Sequence, residues 1–163
     1  MDKLNNEVLP KVSHDKEARI GCKGKDKFWY GYKEHTSVDM PSGLINKVAI
    51  TPANVSDGDG LKSVCPRSGA VYADKGYCSQ KARRTALQKG AHLRAILKNN
   101  MKAKNKDLDR WISGIRAPYE RIFSKRSKRV RYVGVVKNQF AALMHAITFN
   151  MKRLIELPPP KLV

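Results

Sequence analysis

Two acidic residues stand out in a strongly basic sequence. Asp74 directly follows the short apolar run Ala70–Ala73, and Glu120 follows Pro118 and Tyr119. Carboxylates on separate elements can jointly hold a divalent metal ion while surrounding Lys and Arg side chains bind a polyanion. The pair therefore suggests metal-assisted chemistry on nucleic acid.

The positive charge is concentrated in the second half of the chain. The 163 residues include 33 Lys plus Arg and 14 Asp plus Glu, a net charge of +19. Residues 1–74 have 11 basic and 10 acidic side chains, net +1, whereas residues 75–163 have 22 and 4, net +18. This distribution predicts binding to nucleic-acid phosphates that weakens as salt rises. The alternatives are a solvated surface, an anionic membrane or an acidic protein partner.

Length and an apolar content of 41% predict one globular domain. Because no window of 18 apolar residues and no signal peptide occur, no membrane partner is expected. Three widely spaced cysteines, Cys22, Cys65 and Cys78, predict reduced thiols in the cytoplasm. A zinc site drawing on Cys22, Cys78, His35 or His92 lacks the ligand spacing of zinc fingers.

Strands dominate the elements predicted for the first part of the chain. Residues 1–27 show little periodicity and predict an irregular leader. Aromatic and β-branched residues over 28–38 and 44–51 predict a hairpin, because Pro41-Ser42-Gly43 separates the two runs. The apolar run before Asp74 predicts a short buried strand. A helix over 79–89, a strand over 92–97 and a basic connector over 99–109 are expected to follow.

Two helices are predicted in the last third of the chain. Pro118 suits the first turn of a helix, and Glu120 would occupy the same turn, where the helix dipole favours a carboxylate. Arg116 would then pair with Glu120 or with a phosphate. The last helix has an apolar stripe that we expect to pack in the core, and three prolines over 158–160 end it. This stripe consists of Val136, Phe140, Leu143, Met144, Ile147, Met151, Leu154 and Ile155.

Several short motifs occur in a fixed order along the chain. They are Tyr30-Gly31-Tyr32-Lys33, Val38-Asp39, Gly43-Leu44-Ile45, Thr51 to Asp57, Ala73-Asp74-Lys75-Gly76-Tyr77, Arg116 with Tyr119 to Phe123, and Gly134 to Asn150. In this order the chain resembles the carboxyl-terminal part of a DDE-type insertion-sequence transposase. The resemblance implies an α/β fold with a mixed sheet. Residues 28–157 would form a ribonuclease-H-like transposase or integrase core, and residues 158–163 would form a tail.

The resemblance also implies an activity and the residues responsible for it. Asp74 and Glu120 would be catalytic and bind Mg²⁺, for which Mn²⁺ can substitute. The implied reactions are cleavage of transposon ends and strand transfer into target DNA. The resemblance also implies that a homodimer assembles on the DNA and that the reactions take place in the bacterial cytoplasm, at the nucleoid. The side chains expected to contact DNA are Arg116, Arg121, Lys125, Lys128, Arg129 and Arg131.

The sequence departs from the family pattern at the first catalytic aspartate. This residue is expected on a strand ahead of the hairpin, yet Asp2, Asp15 and Asp26 follow no apolar strand, and Asp39 falls elsewhere in the pattern. We therefore expect an amino-terminally truncated chain whose core lacks its first strand and one metal ligand.

The signature around the catalytic glutamate is also incomplete. The family often carries Tyr, Arg, Glu and Lys at fixed spacing, and Arg116 and Glu120 fit that spacing. Ser113 and Ser127 replace the expected Tyr and Lys, although lysines lie close to position 127.

Two other interpretations stay open. The missing strand is also what a catalytically silent, sequence-nonspecific DNA-binding fragment would show. Alternatively, Asp74 only caps its turn and Glu120 only neutralises Arg116 or Arg121.

Overall fold

Helices and strands are both present in the computed structural model, which describes residues 2–24, 26–102, 105–120, 122, 129 and 131–158. The elements are α1 (Asp2–Val12), β1 (Arg19–Lys23), β2 (Lys27–Val38), β3 (Ile45–Pro52), α2 (Asp57–Val64), β4 (Gly69–Ala73), α3 (Gln80–Gln88), β5 (Ala91–Ala95), α4 (Lys106–Arg116) and α5 (Val135–Glu156). Within this part of the chain, no helix is long and apolar enough to cross a membrane.

The first three strands form an antiparallel sheet built on one long strand. β1 pairs with residues 27–31 of β2, and β3 pairs with residues 32–38. After β2, the Asp39 carboxylate accepts hydrogen bonds from the backbone and the hydroxyl of Ser42, which closes the turn into β3. The predicted hairpin is confirmed.

The last two strands form a separate parallel sheet, with α3 between them along the chain. The Ser79 hydroxyl caps α3 by accepting a hydrogen bond from the Ala82 amide at 3.1 Å. Gly90 follows α3 with a φ of +77°, and a Cβ there would collide with the Arg67 carbonyl. The strand, helix and strand predicted over this segment are confirmed.

No strand among the described residues joins β2 to β4. β2 pairs with β3 along residues 32–38 and has no strand on its other edge there, and β4 pairs only with β5. α2 connects the two sheets, because it packs against β2, β3 and α3. The mixed α/β class is confirmed, with the antiparallel and parallel pairings in two sheets.

The irregular leader predicted for residues 1–27 was wrong over two segments. Asp2–Val12 is a helix and Arg19–Lys23 is a strand. Asp15, between them, orders the connection, because its carboxylate accepts the Tyr32 hydroxyl at 2.8 Å and two nearby backbone amides. Burial alone would raise the pKa of Asp15, but these hydrogen bonds outweigh it and lower that pKa.

α5 contacts the outer edge of β3 through polar side chains. The Gln139 side chain accepts from the Ile50 amide at 2.8 Å and donates to the Val48 carbonyl at 3.0 Å. Asn150 makes the same pair of contacts with Ile45, at 2.8 and 2.9 Å. Unpaired groups on a strand edge need partners, and these two amides supply them as a neighbouring strand would.

The core position predicted for the apolar stripe of α5 was wrong. The buried residues of this helix are Asn138, Ala142 and Ala146. All eight stripe residues are exposed. Because the amide contacts with β3 fix the rotation of the helix, its apolar side faces outward.

A buried polar cluster links the two sheets. His35 on β2 is 2% exposed, and its Nε2 lies 2.9 Å from the Thr51 hydroxyl. Its Nδ1 lies 3.0 Å from the hydroxyl of Tyr77, which follows β4. Gly60 of α2 packs directly on the imidazole ring. Burial lowers the pKa of His35, so folding favours the neutral ring.

We expect Gly60→Ala to destabilise the fold, although alanine favours helices. A Cβ at Gly60 would overlap the His35 ring, and such overpacking costs about 1–3 kcal/mol. Gly114→Ala in α4 is the matched control, because no atom lies within 4 Å of its Cβ position. That substitution should stabilise the protein by about 0.5–1 kcal/mol. Urea unfolding measures both free energies, and equal effects at the two positions would contradict the packing.

The buried imidazole predicts a pH dependence of stability. Since the folded state lowers the pKa of His35, the unfolded chain takes up this proton first as pH falls. The free energy of unfolding should therefore decline below about pH 6.5, by at most about 1.4 kcal/mol per pH unit. The pKa of Asp15 is also lowered, but this carboxylate affects the free energy of unfolding only below about pH 4. His35→Gln should remove the decline in the free energy of unfolding that begins near pH 6.5. His92→Gln, at an exposed position, should keep that decline.

Candidate functional site

Asp74 lies at the carboxyl end of β4, at the start of a 3₁₀ turn. Ala73 before it is buried, and the turn covers Lys75–Tyr77. The Asp74 carboxylate accepts the Lys75 amide at 2.7 Å, so the residue caps its own turn. Its side chain is nevertheless 60% exposed, which leaves carboxylate oxygen accessible for a ligand.

Three contacts hold this turn against the antiparallel sheet. Tyr77 reaches back to His35 of β2, as described above. Gly76 packs on the carboxylate of Asp57, where any side chain would collide. Asp57 is fixed in turn by an ion pair with Lys33 of β2, at 3.2 Å. The position of Asp74 is thus set by side chains from β2 and α2.

Tyr77 is neutral in this environment. Burial, together with the negative charges of Asp57 and Asp74, raises the pKa of Tyr77 to about 12. Its hydroxyl therefore keeps its proton and serves as a structural hydrogen-bonding group. Tyr77, His35 and Asp57 are positioning residues that sequence reasoning did not assign, although all three lie in or beside the motifs quoted above.

Glu120 is placed by the residues on either side of it. The Tyr119 hydroxyl donates to the Met40 carbonyl at 2.7 Å. Ile122 is 7% exposed and packs in a cluster with Ile45 and Ala146. These contacts attach the segment to β3 and α5 and leave Glu120 itself exposed.

Glu120 lies just after the helical turn that contains Pro118 rather than within it as predicted, and Ile122, two residues later, is helical. Pro118 does lie in the first turn of a helical segment, but that segment is the 3₁₀ turn Ala117–Tyr119 that extends α4. Glu120 closes this turn at its carboxyl end, and its amide donates to the Ala117 carbonyl at 3.3 Å. The dipole argument for the carboxylate therefore does not apply to this turn.

Asp74 and Glu120 line the same cleft, which has a volume of about 220 Å³. One wall is the strand-free edge of β2, including Glu34 and Ser37, and another is β4. The end of α4 contributes Arg116. The structure thus places two acidic residues that are distant in sequence along the lining of one cleft.

Arg116 is the cation of this cleft nearest to Asp74. Its guanidinium nitrogen lies 3.8 Å from the Asp74 carboxylate, and its side chain is only 24% exposed. The purely structural interpretation of Asp74 is thus compatible with its contacts, since the residue both caps a turn and pairs with an arginine. These contacts still leave its carboxylate largely exposed in the cleft.

The residues that could hold a metal ion in the cleft are carboxylates. Two carboxylates supply the hard oxygen ligands that Mg²⁺ prefers, and water or a phosphate can complete an octahedron. Glu34 also lines the cleft, where it accepts the Thr36 hydroxyl at 2.9 Å. Among the residues that the structure describes, however, no three His, Cys, Asp or Glu side chains are grouped closely enough to hold a metal together.

Three of the other aspartates considered for the first catalytic position, Asp15, Asp26 and Asp39, do not line this cleft. Asp15 is engaged with Tyr32 and with the Gly134 amide at the start of α5. Asp39 closes the turn after β2. Asp26 is exposed in the turn between β1 and β2. The side chain of Asp2 lies outside the described part of the chain.

The predicted DNA contacts fall partly on described residues. Arg116 lies in the cleft, and Arg129 and Arg131 are exposed. The other three, Arg121, Lys125 and Lys128, lie outside the described residues, as does Ser127. Of the cysteines considered for zinc, Cys22 is exposed and Cys78 is buried.

Comparison with known proteins identifies the family of this chain. The family model described as Transposase DDE domain matches residues 8–151. The chain is also 30% identical over 151 residues to the transposase for insertion sequence element IS1106 of Neisseria meningitidis serogroup B, a match that covers 85% of this chain and 52% of that relative. The chain therefore spans about half the length of this relative. No solved structure matches. The mixed α/β architecture is consistent with a ribonuclease-H-like core, and this chain belongs to the transposase DDE domain family.

Proposed function

We propose that this chain takes part in DNA transposition, by metal-dependent cleavage of transposon ends and strand transfer into target DNA. The observation that carries the proposal is the convergence of Asp74 and Glu120 on one cleft beside Arg116. Membership of the transposase DDE domain family supports the same reaction class. The reaction would take place on DNA in the bacterial cytoplasm, at the nucleoid.

Each of these three side chains has a distinct role in the proposed reaction. Asp74 and Glu120 hold Mg²⁺ or Mn²⁺ through their carboxylate oxygens. The bound ion would activate the attacking water or 3′-hydroxyl and offset charge on the phosphate. Arg116 adds a fixed positive charge that orients a phosphate at the same cleft.

A third carboxylate and a further strand belong to this proposal. The edges of β2 and β4 that line the cleft pair with no strand among the described residues. Ser37 also has a buried hydroxyl with no hydrogen-bond partner in this part of the chain. We propose that a strand from outside these residues supplies the first catalytic aspartate between β2 and β4.

DNA is the partner that the charge distribution favours. The net charge of +18 over residues 75–163 lies in the half of the sequence that follows Asp74 and includes Glu120. The exposed Arg129 and Arg131 follow Glu120 in the sequence and would contact phosphates beside the cleft. Phosphate contacts of this kind position DNA without reading its sequence.

A second candidate function is catalytically silent, sequence-nonspecific DNA binding. It is favoured by the absence, among the described residues, of a group of three metal-binding side chains. Salt-sensitive DNA binding without metal-dependent cleavage would support it.

The proposed metal site predicts a loss of both ion binding and activity in two variants. Asp74→Asn and Glu120→Gln keep side-chain size but remove a charged oxygen ligand. Each variant should weaken Mn²⁺ binding, measured by electron paramagnetic resonance. Each should also lower Mg²⁺-dependent cleavage of transposon ends at least about 100-fold, because losing even a residue that only supports a metal ligand lowers metal affinity or activity about 10–100-fold.

Asp107→Asn is the control, because this α4 carboxylate is 90% exposed and does not line the cleft. Where the chain by itself cleaves nothing, the cleavage measurement is made on the protein with its upstream reading frame restored. Unchanged Mn²⁺ binding in both cleft variants would refute the site.

The DNA interface predicts a change in salt dependence. Binding of the chain to duplex DNA should weaken linearly in log affinity against log salt, and each lost phosphate contact should reduce the slope by roughly 0.9. The double variant Arg129→Gln, Arg131→Gln should therefore show a shallower slope. Lys23→Gln with Lys27→Gln removes equal charge at exposed positions of the β1–β2 hairpin and should leave the slope nearly unchanged. Identical slopes for the two double variants would contradict the assigned interface.

A further inference from the structure

Trp111 of α4 is an exposed aromatic residue that the proposed reaction does not use. It is 53% exposed, although tryptophan is among the side chains that gain most from burial. Its ring contacts the ring of Tyr72 on β4 edge to face, with the centroids 5.5 Å apart and the planes at 75°. This contact covers only part of the indole, so a flat aromatic surface remains open to solvent.

The two rings continue the wall of the cleft. Tyr72 itself lines the cleft, as does Ile115 near the end of α4. Trp111 precedes Ile115 by four residues, so it lies on the same side of the helix, about 6 Å along its axis. A DNA strand that leaves the cleft along α4 would therefore pass over the exposed indole.

A cationic side chain lies on the same face of the parallel sheet. Side chains of a strand alternate between the two faces, and Val71 and Leu93 pack in the core cluster formed with α2 and α3. Tyr72 and Arg94 are opposite one another in the strand pairing and therefore share the other face, where α4 lies. Arg94 is exposed, so its guanidinium is accessible beside the aromatic pair.

The chain around this face is strongly basic. Residues 75–106, from the end of β4 to the start of α4, contain ten Lys or Arg and no Asp or Glu. On α4, Asp109 is buried, and the exposed Asp107 pairs with Arg110 at 3.5 Å. The face thus combines an open aromatic ring with positive charge, which is how proteins bind single-stranded nucleic acid without reading its sequence.

We propose that Trp111, held by Tyr72, stacks on a base of single-stranded DNA that leaves the cleft, while Arg94 contacts a phosphate of the same strand. Inside a duplex, bases are paired and stacked on one another, so only unpaired bases offer a free face to the ring. This inference rests on the proposed function for the source of the strand. It adds the form of DNA, single-stranded beside the reacting phosphate, that the cleft accepts.

The two contacts differ in their dependence on salt. A phosphate contact releases counterions, which weakens binding to single strands by roughly 0.7 log unit per decade of salt, whereas stacking releases none. Trp111→Leu should therefore weaken single-strand binding by the same factor at every salt concentration, about 5–150-fold for one base stack. Arg94→Gln should instead reduce the slope by roughly 0.7.

The test compares a single-stranded oligonucleotide of about 12 nucleotides with the duplex of the same sequence, in EDTA. The chain has two tryptophans, so Trp29→Phe leaves Trp111 as the only one. In this background the bound single strand should quench the fluorescence of Trp111, and the bound duplex should quench it much less. Fluorescence anisotropy of the labelled oligonucleotides gives the affinities.

Two further variants separate stacking from other effects. Phe28→Leu is the matched control, because Phe28 of β2 is also 53% exposed and does not line the cleft. It should leave the affinity for the single strand unchanged. Trp111→Phe keeps an aromatic ring and should recover most of the affinity that Trp111→Leu loses.

The measurement needs neither metal nor cleavage, so its failure is separate from that of the proposed function. Loss of Mn²⁺ binding in Asp74→Asn should leave the quenching of Trp111 in place. Four outcomes would overturn the inference. They are no binding of the single strand, binding without quenching, equal quenching by the duplex, and equal weakening by Phe28→Leu and Trp111→Leu.

Discussion

The hydrogen bonds of His35 are the constraint on which the candidate site depends. One ring nitrogen contacts Thr51 within the antiparallel sheet, and the other contacts Tyr77 after β4. No strand among the described residues pairs the two sheets, so this buried histidine and α2 are the contacts that hold them together. Burial lowers the pKa of His35 despite the nearby negative charge of Asp57, so the folded arrangement that positions Asp74 favours the neutral ring.

A second constraint acts at the opposite edge of the antiparallel sheet. The outer edge of β3 needs hydrogen-bond partners, and α5 provides them with Gln139 and Asn150. Because those amides must face β3, the apolar residues of α5 must face away from it. Polar satisfaction of the sheet edge therefore takes precedence over burial of apolar surface in this helix.

The parts of the fold that sequence could predict are those with a local signal. The aromatic and β-branched residues over 28–38 predicted β2, and the apolar run before Asp74 predicted β4. α2 was missed because its sequence, with Gly58 and Gly60, has a low helix propensity. That helix is stabilised by its Ser56 cap and by packing on His35, which is a tertiary contact that no local pattern reports.

The candidate site divides in the same way. Asp74 and Glu120 could be chosen by their residue types and by ordered motifs, and the structure places both at one cleft. The turn geometry of Glu120 could not be predicted, because Tyr119 and Ile122 are held by Met40 and by the cluster with Ile45. When residues that are distant in sequence hold a side chain in place, the sequence around that side chain shows no pattern that predicts its position.

Arg116 couples the two kinds of ligand that the cleft would take. A divalent ion held by Asp74 must compete with the guanidinium that already lies 3.8 Å from that carboxylate. A phosphate entering the cleft offers Arg116 a bidentate partner and so releases Asp74 for the ion. In the proposed site, a phosphate bound by Arg116 would therefore favour binding of the ion at Asp74.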